Sequence, residues 1–92
     1  MEFKKGLIVR SKAGREKDGF FVVLDICDNY ATISDGKHRK IENPKRKKLI
    51  HLAATTQFVS EECINTNSDI KRVLHSYNHS FHSPTKGGYS IV

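Results

Sequence analysis

Short apolar runs alternate with polar turns over the first half of the chain, a pattern typical of β-strands. The runs fall at residues 7–9, 20–26 and 30–34. The second run (FFVVLDI) is rich in aromatic and β-branched residues, which favour strands. Successive side chains of a strand point to opposite faces. We therefore expect one face to carry Phe20, Val22, Leu24 and Ile26, and the other to carry Phe21, Val23, Asp25 and Cys27.

Turn residues predict how the third run is connected to the next. Asp35-Gly36 follows this run, and Asp-Gly is typical of a type I′ hairpin because both central residues of that turn need a positive φ. We expect residues 37–42 to return antiparallel to the third run. Proline has no N–H group, so Pro44 should end the pairing.

Residues 49–52 (LIHL) add a last short apolar run. Five short strands within about fifty residues predict a mainly β fold, and a small barrel rather than a sandwich. Closure of the sheet would remove the edges that so small a structure otherwise exposes.

The second half of the chain changes to a helical pattern. Residues 66–69 (TNSD) carry side chains that cap helix N-termini, with an acidic group in the first turn. Apolar residues then recur at helical spacing. This stripe consists of Ile70, Val73, Leu74 and Tyr77. We expect the stripe to pack on the barrel, because an isolated helix of this length is marginal in water; the alternative is an exposed stripe that docks a protein partner.

These patterns divide the chain into three parts. Residues 1–54 form the predicted barrel, residues 55–78 a helical C-terminal extension, and residues 79–92 a flexible tail rich in Ser, His and Gly. Residues 53–65 are ambiguous. One interpretation is a further helical turn around Phe58, Val59 and Cys63.

The net charge of +6 is concentrated in one segment. Residues 1–36 hold six basic and six acidic side chains, and residues 49–92 hold three of each. Residues 37–48 (KHRKIENPKRKK), termed here the basic block, hold seven basic residues and one acidic residue. A local concentration of positive charge is a candidate contact surface for a polyanion.

Two groups of basic side chains are candidates for bonds to RNA phosphates. The first group is the basic block, with Lys37, His38, Arg39, Lys40, Lys45, Arg46, Lys47 and Lys48. The second group comprises Lys12, Arg15 and Lys17, whose charge is partly cancelled by Glu16 and Asp18. The alternative is a solvated edge whose lysines only discourage strand pairing. Tyr30 is the aromatic residue expected to be exposed near the block, so we expect recognition of shape and phosphates in folded RNA rather than single-strand reading.

No other chemistry is indicated. The sequence lacks the P-loop, nucleophile-elbow and zinc-protease motifs, so we expect neither an enzyme nor a cofactor. His75, His79 and His82 have helical spacing but no supporting Cys or carboxylate ligands, so we expect no metal site. Cys27 and Cys63 form no C-x-x-C pair and are expected to be free thiols. The sequence has no apolar run of ~18 residues and no signal peptide, so we expect a cytoplasmic protein that does not enter a membrane. We also expect a monomer.

Residues 6–26 resemble a KOW motif, which is a strand, a basic loop with a central glycine, and a second strand. The matching segments are residues 6–11 (GLIVRS), 13–17 (AGREK) and 20–26. Gly14 stands at the central glycine, and a positive φ is the physical reason to expect glycine there. Asp18 stands where many KOW loops have glycine.

The resemblance extends into the basic block. Residues 34–40 (SDGKHRK) and 43–48 (NPKRKK) look like those of bacterial KOW-domain RNA-binding proteins, which are similar to the large-ribosomal-subunit fourteen-e family. This resemblance implies an SH3-like barrel that binds ribosomal or other structured RNA, on or near the large ribosomal subunit. A KOW-type module that binds a protein of the translation or transcription machinery is the alternative, and a binder of duplex DNA is a third possibility.

Overall fold

The computed structural model describes residues 3–15 and 17–80, the last three of them by their backbone only. The strands are β1 (Leu7–Ser11), β2 (Phe20–Cys27), β3 (Tyr30–Ser34), β4 (Lys45–Lys48) and β5 (Leu52–Phe58), followed by helix α1 (Asn67–Ser80). The five strands form one antiparallel sheet in the order β4-β3-β2-β1-β5. A mainly β chain with a C-terminal helix is therefore confirmed. The sheet is open, with β4 and β5 at its two edges.

A β-bulge in β2 changes the predicted division of its two faces. Val23 pairs with Ile33, but the next pair joins Asp25 to Thr32, so Leu24 is the extra residue. An extra residue shifts all following side chains to the opposite face. Ile26 accordingly packs with the cluster that contains Val23, and the prediction that Ile26 shares a face with Phe20 and Val22 is wrong.

The sheet has a hydrophobic cluster on each of its faces. The inner cluster consists of Leu7, Val9, Phe21, Val23, Ala31, Ile33 and Leu52. The outer cluster joins the sheet to α1 and consists of Ile8, Phe20, Val22, Ile64, Ile70 and Leu74. The start of β2 is thus buried on both faces, which accounts for its continuous apolar run.

Helix α1 begins as the capping residues predict. The Thr66 hydroxyl accepts a hydrogen bond from the backbone N–H of Asp69 at 3.1 Å. Ile70 and Leu74 are fully buried, and the Tyr77 ring lies 5.2 Å from that of Phe20. The predicted packing of the stripe on the sheet is therefore confirmed, and the stripe is not available as a docking face. With 14 residues, α1 is too short and too polar to cross a bilayer.

Residues 35–44 form a loop instead of the predicted hairpin strand. A type I′ turn needs positive φ at both central residues, and only Gly36 has one, at 75°. The Asp35 carboxylate instead accepts hydrogen bonds from three successive backbone N–H groups at 2.8–2.9 Å. These belong to Lys37, His38 and Arg39. These bonds give the backbone an alternative to strand pairing.

The last predicted strand is also displaced. Residues 49–51 form a short 3-10 helix, Leu49–His51, and β5 begins at Leu52. The ambiguous segment after it contains the rest of β5, which passes the predicted barrel boundary at residue 54, and a second 3-10 helix, Glu61–Cys63. Helix α1 continues past residue 78 to Ser80, and residues 81–92 of the predicted flexible tail lie outside the described residues.

The start of α1 holds the loop in place. The Asn67 side chain accepts a hydrogen bond from the Ile41 N–H at 2.8 Å and donates one to the Glu42 carboxylate at 2.9 Å. A Cβ at Gly36 would collide with the backbone oxygen of Asn67, so the close approach of loop and helix requires glycine. The hydrogen bond from Asn67 is the main reason that the pKa of Glu42 is lowered.

We predict that Asn67→Ala raises the pKa of Glu42 toward its ordinary value of 4.5. Because the folded-state pKa is lowered, the stabilisation from the Glu42 carboxylate is present above that ordinary value and is lost as the pH falls through the folded-state pKa. An NMR titration of the Glu42 carboxyl group measures this. Ser68→Ala is the control, since this exposed neighbour makes no bond to Glu42. An unchanged pKa in Asn67→Ala would show that the loop is not anchored in this way.

Candidate nucleic-acid interface

The register of β4 divides its four basic residues between two faces of the sheet. Lys45 pairs with Ile33 and Lys47 with Ala31, both of which are core residues. Arg46 and Lys48 alternate with them and share the outer face with their partners on β3, Thr32 and Tyr30. Arg46 and Lys48 are exposed, whereas Lys45 is half-buried.

Lys47, which the sequence predicts as a phosphate contact, is buried in the structure. Its side chain is only 8% exposed, and its ammonium group donates a hydrogen bond to the backbone carbonyl of Ala13 at 2.8 Å. The aliphatic part of a lysine can cover apolar surface while its charged end reaches a polar partner. Lys47 is therefore a structural residue.

This bond brings the two predicted basic groups together. Ala13 lies in the β1–β2 loop, so the loop is attached to β4 through Lys47. The Lys12 N–H donates to the His51 carbonyl at 2.8 Å, which adds a second attachment just beyond β4. Three basic side chains of this loop, Lys12, Arg15 and Lys17, are exposed. The sequence could not show this proximity, because it arises from contacts between distant segments.

The backbone of the β1–β2 loop fits the predicted role of its glycine. Gly14 has a φ of 81°, as expected. Asp18 also has a positive φ, 72°, a conformation that glycine adopts without strain. The Asp18 carboxylate is ion-paired with Arg10 at 2.8 Å, so its negative charge is balanced by a neighbour outside the predicted contacts.

The loop after β3 presents the remaining members of the block. Lys37, His38 and Lys40 are exposed and Arg39 is half-buried. Ser34 strengthens the turn, because its hydroxyl donates to the Arg39 carbonyl at 2.6 Å and accepts from the Gly36 N–H at 3.1 Å. Together with the Asp35 bonds, these contacts fix the backbone that carries the basic side chains.

Most basic side chains of this region form no ion pair among the residues that the structure describes. Ion pairs among the described residues include Lys5–Glu61, Arg10–Asp18 and Arg72–Asp69. Among the residues that the structure describes, the following basic side chains form no ion pair: Lys12, Arg15, Lys17, Lys37, Lys40, Lys45, Arg46 and Lys48. Their charges are available to an external anion without the loss of an internal pair.

An aromatic contact lies at the edge of this basic surface. The guanidinium carbon of Arg46 lies over the Tyr30 ring, 4.1 Å from its centroid. Next to the ring is an open depression lined by Asn29, Tyr30, Lys48, Leu49 and Ile50. Ile50 is 72% exposed and was not predicted as a site residue, because residues 49–52 indicate only a short apolar strand.

Neither histidine nor cysteine forms a metal site within the described part of the chain. No group of three or more His, Cys, Asp or Glu residues is arranged to hold a metal ion there. His82 and the side chain of His79 lie outside the described residues, so that part of the spacing is untested. Cys27 and Cys63 are free and exposed.

Neither a scan against protein-family models nor a search of the curated proteins finds a match.

We predict that Lys47→Met lowers the free energy of unfolding by about 1–3 kcal/mol, because the Ala13 carbonyl loses its charge-assisted hydrogen bond from Lys47 and keeps only the bond from the Ser11 hydroxyl. Lys48→Met is the matched control, as it removes the same charge from the next, exposed position. Its effect should stay within about 0.5 kcal/mol. Urea unfolding of both variants measures the difference, and equal effects would contradict the structural role of Lys47.

Proposed function

We propose that this protein binds structured RNA, through the phosphate backbone, as a monomer in the cytoplasm. The observation that carries the proposal is the concentration of basic side chains on three segments: the β1–β2 loop, the loop after β3, and β4, to which Lys47 ties the β1–β2 loop. These segments present eight basic side chains that form no ion pair among the described residues. Charge-assisted hydrogen bonds from lysine and arginine to phosphate oxygens are the expected contacts.

The proposed architecture is a KOW-type SH3-like barrel. β4 and β5 lie at opposite ends of the strand order, yet only the short 3-10 helix Leu49–His51 separates them along the chain. A connection this short requires one end of each edge strand to lie close to the other, so the sheet must curl. The curl, the left-handed Gly14 and the left-handed Asp18 support the resemblance to KOW loops.

Preorganisation of the backbone favours phosphate recognition. Asp35, Ser34 and Asn67 fix the loop after β3, and Lys47 fixes the β1–β2 loop. Binding then requires ordering of the long basic side chains but not of the loops that carry them. With Tyr30 as the aromatic group on this surface, phosphate contacts rather than serial base stacking should dominate the affinity.

The observations favour RNA binding over the protein-docking alternative. That alternative depended on an exposed apolar stripe on α1, and Ile70 and Leu74 are fully buried. The basic surface itself would attract duplex DNA as well as RNA, since both are polyanions. The resemblance to ribosome-associated KOW proteins leads us to propose ribosomal RNA of the large subunit as the target.

We predict that purified large-subunit ribosomal RNA binds with a steep salt dependence, because binding releases counterions. A triple variant, Lys45→Gln, Arg46→Gln and Lys48→Gln, should reduce the slope of log K against log [salt] by about 2–3, one contact per residue. Filter binding over a salt series, with duplex DNA as competitor, measures the affinity.

The control variant removes the same number of positive charges from another part of the protein. Lys4→Gln, Lys5→Gln and Arg72→Gln also remove three positive charges, but from outside the proposed surface. This control should retain nearly the full slope. A flat salt dependence of the unaltered protein, equal slopes for the two triple variants, or the absence of RNA binding would each refute the proposal. If duplex DNA bound more tightly than ribosomal RNA, the result would favour the alternative that the protein binds duplex DNA.

A further inference from the structure

The depression beside the basic surface differs in chemistry from the rest of that surface. Tyr30 and Arg46 meet on the outer face of β3 and β4, with the guanidinium carbon 4.1 Å from the ring centroid. Ile50 lines a depression together with Tyr30 and is 72% exposed, although a single exposed isoleucine need not indicate a site. Here the isoleucine shares a depression with an aromatic ring and with Lys48.

Backbone hydrogen bonds hold the walls of the depression on both sides. The Leu49 N–H donates to the Asn29 carbonyl at 2.8 Å, which ties the turn carrying Ile50 to the turn between β2 and β3. His51, which follows Ile50, accepts a hydrogen bond from the Lys12 N–H. The depression is therefore formed before any ligand arrives.

We propose that Tyr30, Arg46 and Ile50 bind one unpaired base of the RNA. This inference rests on the proposed function. Unpaired bases stack on aromatic rings and on arginine guanidinium groups, both of which this pair supplies. Ile50 offers an apolar contact to the base, and the exposed Asn29 amide can donate to and accept from a base edge.

The surrounding charge identifies the occupant as a nucleotide rather than an apolar peptide side chain. Lys48 lines the depression, and neither it nor Arg46 is paired with an acid among the described residues. Lysine at this position would contact the phosphate next to the stacked base. A bulged or looped-out nucleotide in an otherwise paired RNA supplies both the unpaired base and the neighbouring phosphate. The site thus adds base recognition to a surface that otherwise contacts the backbone.

The test compares three RNAs: a fully paired hairpin, the same hairpin with one bulged adenosine, and the same hairpin with a bulged abasic nucleotide. The two bulged RNAs carry the same charge, so a difference in affinity reports on the base alone. The unaltered protein should bind the adenosine bulge about 10-fold more tightly than the abasic bulge.

Two variants assign this preference to the site. Tyr30→Leu should abolish the preference for adenosine, so that the two bulged RNAs bind with equal affinity. Arg46→Lys keeps the charge but removes the planar guanidinium group, so it should weaken the preference without changing the salt slope. If Tyr30→Leu fails to fold, Arg46→Lys alone tests whether the preference for adenosine belongs to this site. Phe58→Leu is the matched control, because Phe58 is another exposed aromatic residue, 48% exposed, with a cation, Lys4, over its ring.

The outcomes separate this inference from the proposed function. Salt-dependent binding of all three RNAs with no preference for adenosine would overturn the base site and leave phosphate recognition standing. A preference that survives in Tyr30→Leu and Arg46→Lys, or that is lost in Phe58→Leu, would overturn the assignment to this depression. Failure to bind any of the three RNAs would overturn both proposals.

Discussion

The burial of α1 against the outer face of β1 and β2 is the contact on which the rest of the structure depends. Ile70 and Leu74 fill this interface together with Ile8 and Val22. A small sheet has limited apolar surface to bury, so a helix that covers its second face adds substantially to the core. Docking of α1 also places Asn67, which fixes the loop after β3. The candidate RNA surface is thus supported by the docked helix.

The basic block contains two kinds of residue in the folded protein: those that bond to distant parts of the chain and those that remain exposed. Lys47 and Glu42 belong to the basic block by sequence, but each is engaged by a distant part of the chain, Ala13 and Asn67 respectively. Lys37, Arg46 and Lys48 remain exposed. The distinction matters for mutagenesis, because replacing the whole block would change stability and binding together. Variants restricted to the exposed residues separate these effects.

The sequence predicted features that are determined locally. The spacing of the apolar stripe on α1 and the Thr66 cap depend on residues within one or two helical turns, and both are confirmed. The positive φ of Gly14 is likewise a property of its own loop. The concentration of positive charge in the basic block follows directly from the number of basic and acidic residues in the sequence.

The features that were missed depend on pairing between distant segments. The bulge at Leu24 is defined only by the register of β2 against β3, and the inward position of Lys47 only by the register of β4. The hairpin expected at Asp35 did not form, because the Asp35 carboxylate and the Ser34 hydroxyl bond to the following backbone. The exposure of Ile50 could not be predicted, because an apolar side chain in a short run does not reveal whether another residue packs on it.

The most direct test of the central claim is the mapping of amide chemical-shift changes by NMR as the paired RNA hairpin is added to the labelled protein. The account predicts the largest changes in residues 12–15, 37–40 and 45–50, with little change in residues 53–58 of β5 or residues 70–77 of α1. Changes concentrated on β5 or α1, with the basic segments unaffected, would contradict it.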